Sequence, residues 1–347
     1  LKEKGIDPSE VGLEEFAGCV ISIDIFTELY SRYKIAVDNV LSVQEDILDE
    51  GVKPNFPSII ASWIQKVFSL LNRLLDAGIV PVVCYDGVAP ELKAKTKADR
   101  AETTKQNVDR VAEIKEEAKT CSDPMELARL RVEIISAYVS SLHPRREEIN
   151  ILMRMLRAYG FPVIQAVGEG EQLASELCRQ GYTNAVMSCD YDCLMYNPSI
   201  WIKSCSIPDR KRGGSREYKF IYHDMNNILS RLGMTHAQFM DMCIFFGCDY
   251  NERFKKYGPA SIYADIIRYG SGYELIKMKQ THDFSCIKYD VCLKQFKQVD
   301  CADLIAEGSE FITEMRDPDV EEIQKCAELF DIEYKSLPKP HKLREVV

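Results

Sequence analysis

The chain has no C-x-x-C pair and only five histidines, none at a zinc-site spacing from two cysteines. Structural zinc needs such pairs, so the thirteen cysteines do not point to zinc. They do not read as a disulfide framework either. Most, such as Cys19, Cys84 and Cys243, sit in apolar runs and read as small core residues. A reducing, intracellular compartment is expected. No run of eighteen or more uncharged apolar residues occurs, which argues against a transmembrane helix and a membrane partner. There is no signal-peptide pattern; the opening "LKEKGIDPSE" is polar. It begins with Leu1, so native N-terminal residues are expected to be missing. A basic excess is also absent, with 44 Lys and Arg against 54 Asp and Glu and a net charge of −10. Alone, that balance weighs against nucleic-acid binding, although a local basic face can act while a carboxylate cluster holds metal elsewhere. Internal repeats, low-complexity tracts and long linkers are lacking too.

What is present is an alternation. Four short runs rich in β-branched residues read as buried strands: Val20–Asp24, "VPVVCYD" ending at Asp86, "FPVIQA" from Phe161 and "AVMSCD" ending at Asp190. Helical patterns separate them. Residues 57–78 carry apolar side chains at helical spacing, with Gly78 as a stop. The alternation predicts an α/β fold with a central, mostly parallel sheet flanked by helices. Residues 97–141 are evenly charged and helical, broken by the turn signal "TCSDPME", and read as two exposed helices. A helix over 235–246 opens with a Thr235-to-Gln238 capping box and stops at Gly247. The last seventy residues read as mostly helical and carry no motif.

Acids collect where strands end. Asp24, Asp86 and Asp190 close three runs, Asp192 follows Asp190, and the other run leads to Glu169 and Glu171 at a helix start. Asp249 lies just past a helix C-terminus. Ligands of open α/β sheets bind at the carboxyl ends of strands, so these acids, distant in sequence, can converge on one rim. Singly, each is as readily a solvated loop acid; Asp317-Pro318-Asp319 has the same spacing and reads as a surface loop. Together they need a neutralising charge, and oxygen-only ligands suit Mg²⁺ or Mn²⁺. Two such ions about 4 Å apart suit phosphodiester hydrolysis.

The motifs "ISIDIFTELY", "VVCYDGVAPELKAKTKADR", "VGEGEQLASELC", "SCDYDCLMY" and "FFGCDYNERFKKYGPASI" follow one another over about residues 13–275, and more faintly to about 330. In order and spacing they resemble the flap endonuclease group of XPG-type structure-specific 5′ nucleases. The resemblance implies a two-ion site, with Mg²⁺ or Mn²⁺, built from Asp24, Asp86, Glu169, Glu171, Asp190, Asp192 and Asp249. It implies that Lys93 and Arg100, seven residues apart on one helix face, reach the scissile phosphate. Tyr30 would stack on the nucleotide beside the scissile bond. Gly258 and Ser261, in "GPAS", would open a helix of a helix–two-turn–helix at about 235–270 that binds duplex backbone, often with K⁺. Lys256 replaces the first glycine of the common Gly-x-Gly-Pro form, a departure at which the lysine would itself meet a phosphate.

The same resemblance divides the chain into residues 1–96 and 151–275 of the nuclease domain, a helical arch at 97–150 and a helical extension at 276–347. Lys93, Lys95, Lys97 and Arg100 form the arch's basic front; Arg210, Lys211 and Arg212 lie in a basic loop, 209–219, expected to be a hairpin touching DNA. The implied substrate is branched DNA with a single-stranded 5′ end, recognised by shape and backbone. The rivals are a 5′→3′ exonuclease, a bubble or four-way-junction nuclease, an RNA-directed nuclease and a DNA-binding scaffold without catalysis. A monomer is expected. The family's Met-Gly start is absent, and no Gln-x-x-aliphatic-x-x-aromatic-aromatic sliding-clamp motif occurs. The family implies the nucleus for a cellular member and the cytoplasm for one from a cytoplasmic large virus.

Overall fold

The computed structural model describes residues 4–88, 94–206, 218–254 and 257–340. Its strands are β1 (Ser9–Gly12), β2 (Val20–Asp24), β3 (Val80–Tyr85), β4 (Val163–Gln165), β5 (Ala185–Met187), β6 (Ile200–Ser206) and β7 (Lys219–Asp224). They form one seven-stranded sheet in the order β1-β7-β6-β5-β2-β3-β4. β2 runs parallel to β3 and β5, and β5 parallel to β6; β7 runs antiparallel to β6 and β1. The inner strands are continuous apolar runs because both faces are covered: Ile21, Ile23, Val82, Val83, Ala185 and Val186 are fully buried.

The four expected strands are β2, β3, β4 and β5, and the α/β reading holds. Three of them end earlier than expected, β4 by one residue at Gln165. β3 stops at Tyr85 and β5 at Met187, so Asp86 and Asp190 lie just beyond the ladder. β1, β6 and β7 were not foreseen as strands. β6 and β7 pair as the arms of the expected hairpin, from Ile200 opposite Asp224 to Ser206 opposite Lys219. Its basic loop, with Arg210, Lys211 and Arg212, lies outside the described residues.

The helices are α1 (Ile25–Val43), α2 (Phe56–Asp76), α3 (Ala94–Thr120), α4 (Pro124–Ser141), α5 (Arg146–Ala158) and α6 (Gly170–Arg179), followed by α7 (Met225–Leu232), α8 (His236–Phe246), α9 (Pro259–Tyr269), α10 (Gly272–Met278), α11 (Tyr289–Gln295) and α12 (Val320–Leu329). α3 and α4 are the two expected charged helices, separated by the turn at 121–123. α8 opens with the Thr235–Gln238 capping box. The last seventy residues, by contrast, are mostly irregular. Part of this segment runs extended and hydrogen-bonds to the strand edge instead of to itself: Ala306 N–H donates to Gln165 O at 2.9 Å, and Val167 N–H to Leu304 O at 2.7 Å.

The chain divides into two compact units. The first gathers Leu1–Ile25, Ala77–Lys93 and Ile164–Thr313; the second gathers Phe26–Asp76, Ala94–Val163 and Glu314–Val347. The first packs α6 and α8 to α11 around Val186, Leu173, Trp201, Phe245 and Phe296. The second is built on α2, whose Trp63, Ile64, Val67 and Phe68 are fully buried and whose Trp63 Nε1 donates to Leu29 O at 3.0 Å. In the same unit α12 meets α5 through an Arg154–Glu322 ion pair of 2.6 Å. Among the described residues, no helix is long and apolar enough to cross a membrane.

Candidate metal centre

All seven acids singled out in the sequence belong to the first unit. Asp24 ends β2 and is buried, as are Glu169 and Glu171 at the start of α6. Asp86 and Asp249 are half-buried on loops, and Asp190 and Asp192, also half-buried, are the N-cap and first turn of a short 3-10 helix, Tyr191–Tyr196. α6 is held on the sheet by the Ser22 hydroxyl of β2, which donates to Ala174 O at 2.7 Å. Asp86 comes to the start of α6 because the chain after β3 lies against the chain after β4. A Cβ on Gly87 would stand 2.1 Å from Ala166 O, so only glycine permits that approach. Gly170 N–H then donates to Asp86 Oδ1 at 2.8 Å.

Hydrogen bonds link four of the acids in series. Ser188, which follows β5, donates from its hydroxyl to Asp24 Oδ2 at 3.1 Å and accepts from Asp190 N–H at 3.1 Å. Asp192 N–H donates to Asp190 Oδ1 at 3.0 Å, and Asp249 N–H to Asp192 Oδ2 at 3.3 Å. The buried Tyr250 hydroxyl donates to Glu169 Oε2. Burial and the Glu169 charge push that phenol up, so it remains a donor.

Glu171 differs from the rest. Its Oε1 is buried and has no hydrogen-bond partner. Burial, then the charges of Asp190, Asp24, Asp192 and Glu169, push its carboxyl well above the usual carboxylate range. A buried acceptor facing like charges is what a hard cation relieves, and the seven acids offer oxygen donors, as Mg²⁺ or Mn²⁺ prefers. Among the described residues no three acidic, histidine or cysteine side chains already stand in a metal-binding arrangement, so the fit rests on donor chemistry and burial.

Two family models match the chain: the XPG N-terminal domain over residues 2–107 and the XPG I-region over residues 160–249. The chain belongs to the XPG family. Flap endonuclease 1 of Leishmania major is 28% identical over 246 residues, which are 69% of this chain and 58% of that protein. The XPG chain thus spans under two thirds of that relative's length. Among solved structures, flap endonuclease-1 from Methanococcus jannaschii shares the fold with a TM-score of 0.58 at 23% identity, covering 96% of this chain and 93% of that one. Human GEN1, in complex with Holliday junction DNA, shares it with a TM-score of 0.56 at 13% identity, covering 93% and 70%.

The remaining XPG-motif residues fall in several places. Tyr30 is on α1 in the second unit, 37% exposed, its ring edge-on to His143 with centroids 6.1 Å apart. Lys95, Lys97 and Arg100 are on α3, but their side chains, like all of Lys93 and Lys256, lie outside the described residues. Gly258 is the N-cap of α9 and offers no side-chain cap, and Ser261 is in the first turn. The thirteen cysteines are free, Cys84 buried and Cys19 and Cys243 half-buried. Sequence reasoning missed Ser188 and Tyr250. Both sit inside quoted motifs, "SCDYD" and "FFGCDY", so adjacency to the acids was the available signal.

Proposed function

We propose that this XPG-family chain is a metal-dependent, structure-specific 5′ nuclease that hydrolyses DNA where single and double strands meet. The observation that carries the reading is Glu171, a buried and unpartnered carboxylate among linked acids. Asp24, Asp86, Glu169, Glu171, Asp190, Asp192 and Asp249 would hold two divalent ions. Bound there, Mg²⁺ or Mn²⁺ supplies an activated water and stabilises the leaving oxygen. The chain's own part is placement. Ser188 orients Asp24 and Asp190 together, Asp86 is fixed to the α6 start, and Tyr250 fixes Glu169.

On this reading Lys93 and Arg100 stabilise negative charge on the phosphate, and Tyr30 stacks on a base without selecting it. Lys95, Lys97, Arg210, Lys211 and Arg212 meet phosphates in a sequence-independent manner. The N–H groups at the start of α9, left without a side-chain cap at Gly258, meet duplex backbone, with Ser261 and Lys256 beside them and K⁺ as a candidate bridging ion.

The test is cleavage of a 5′-labelled flap duplex in Mg²⁺ and in EDTA, beside D190N and beside blocked-end flap, bubble, four-way-junction and RNA-flap substrates. Mg²⁺-dependent cuts at the flap junction, lost in D190N, are expected. No cleavage of any branched or free-ended DNA would overturn the reading.

A further inference from the structure

The stretch carrying Asp190 and Asp192 holds one residue that the metal centre leaves unused. Tyr191 stands between them and is 51% exposed. It is nonetheless fixed. Its ring centroid lies 5.0 Å from that of Trp201, which is fully buried on β6. Trp201 in turn stacks on His223 of β7, its cross-strand neighbour, with centroids 5.7 Å apart and planes within 9°. Burial and the Lys203 charge hold His223 below its usual range, so the base of this column is neutral near pH 7. Trp201 Nε1 donates to Ser188 O at 2.9 Å. The column is therefore keyed to the same serine that orients Asp24 and Asp190.

Lys203 completes the arrangement. Its Nζ lies 2.8 Å from the Tyr191 hydroxyl and 4.9 Å from the ring centroid. Arg110, Lys119 and Arg129 of α3 and α4 are tied to glutamates, whereas Lys203 has no ion pair among the described residues. An exposed ring on a rigid support, a cation free of carboxylates and an acidic centre alongside match one kind of ligand. A nucleotide offers a flat base for the ring and a phosphate for the ammonium. An acidic or purely apolar ligand would use only one of the two.

We propose that Tyr191 and Lys203 bind one nucleotide of the DNA strand that passes the metal centre, the ring stacking on the base and the ammonium meeting the phosphate. The assignment rests on the nuclease reading above and adds a contact to it. Stacking makes it indifferent to base identity.

Fluorescence anisotropy of a dye-labelled 5′-flap duplex, in EDTA and over a salt series, tests it on the full chain. Y191A is expected to raise Kd by about 5- to 150-fold, the worth of one stacked base. Y191F keeps the ring and is expected to stay near the parent. K203M is expected to lower the slope of log affinity against log salt by about 0.7 to 0.9, one phosphate contact. If the parent cleaves flaps while Y191A and K203M match its Kd and slope, this assignment falls alone and the pair is a surface contact. If the parent neither binds nor cuts branched DNA, the nuclease reading falls and takes the assignment with it.

Discussion

The acid rim of the first unit and the α3–α4 pair of the second are both crowded with carboxylates, and they treat them in opposite ways. On α3 and α4 three cations, Arg110, Lys119 and Arg129, each pair with two or more carboxylates. Arg110 pairs with Glu113, Glu117 and Glu133 at 3.1, 3.0 and 2.7 Å, and Arg129 pairs with Glu126 and Glu133. These pairs are in water, where Coulomb energy is small and salt screens it. At the rim the acids meet other acids, and Asp24, Glu169 and Glu171 are buried. There the energetics turn on desolvation, and Glu171 is driven toward its protonated form. Identical side chains are thus a solvated, paired surface in one unit and a desolvated, mutually repelling cluster in the other. Burial decides which.

The sharpest way to break this comparison is to neutralise one rim acid. D190N or D24N should lower Mg²⁺-dependent flap cleavage by on the order of 100-fold or more, measured as kcat at saturating substrate. Next is the cation's effect on stability. Mg²⁺ at about a hundred times its Kd should stabilise the parent by about 2.7 kcal/mol, read from Tm, and E171Q should remove most of that gain while raising Tm in EDTA.

The pH dependence follows from the same group. Glu171 binds its proton more tightly folded than unfolded, so without metal its own contribution to stability is full at low pH and is lost as pH rises above the ordinary glutamate range. Mg²⁺ must displace that proton, so its binding should tighten across the same window. Denaturant titrations in EDTA at a series of pH values, with E171Q as control, check the sign; a parent curve that rises with pH in step with E171Q would contradict it.

Smaller effects belong to the second unit. Asp123 caps α4 by accepting from Met125 N–H at 3.0 Å, and D123A should cost about 1 kcal/mol in denaturant unfolding. R129A, which removes only exposed ion pairs, should leave Tm unchanged within measurement at physiological salt. A large loss there would mean that the two regions are less different than burial suggests.

Much of the fold was legible because its signals are local. β-Branched runs marked β2 to β5, the Thr235–Gln238 box marked α8, and "TCSDPME" marked the break between α3 and α4. β1 was not legible because "SEVG" is short and polar, an edge strand completed by its pairing with β7. β6 was not separated from its loop, since "IWIKSCS" takes its extended form from a neighbour on each side, β5 and β7. The C-terminal segment was misread as helical because its partner is the edge of β4, far away in sequence. In the site, the acids could be named from their positions after strands, whereas Ser188 and Tyr250 are ordinary residues until their hydroxyls are seen on Asp24 and Glu169.

By itself the sequence determined the order of elements, the oxygen-only chemistry of the rim and membership in its family, because periodicity, capping and motif spacing act over a few residues. Only the tertiary structure decided which acids are buried, that Ser188 joins Asp24 to Asp190, that Gly87 lets Asp86 reach α6, and that Trp201 holds Tyr191 in place. Those properties depend on desolvation and on contacts between segments more than a hundred residues apart in some cases, and no local pattern encodes them.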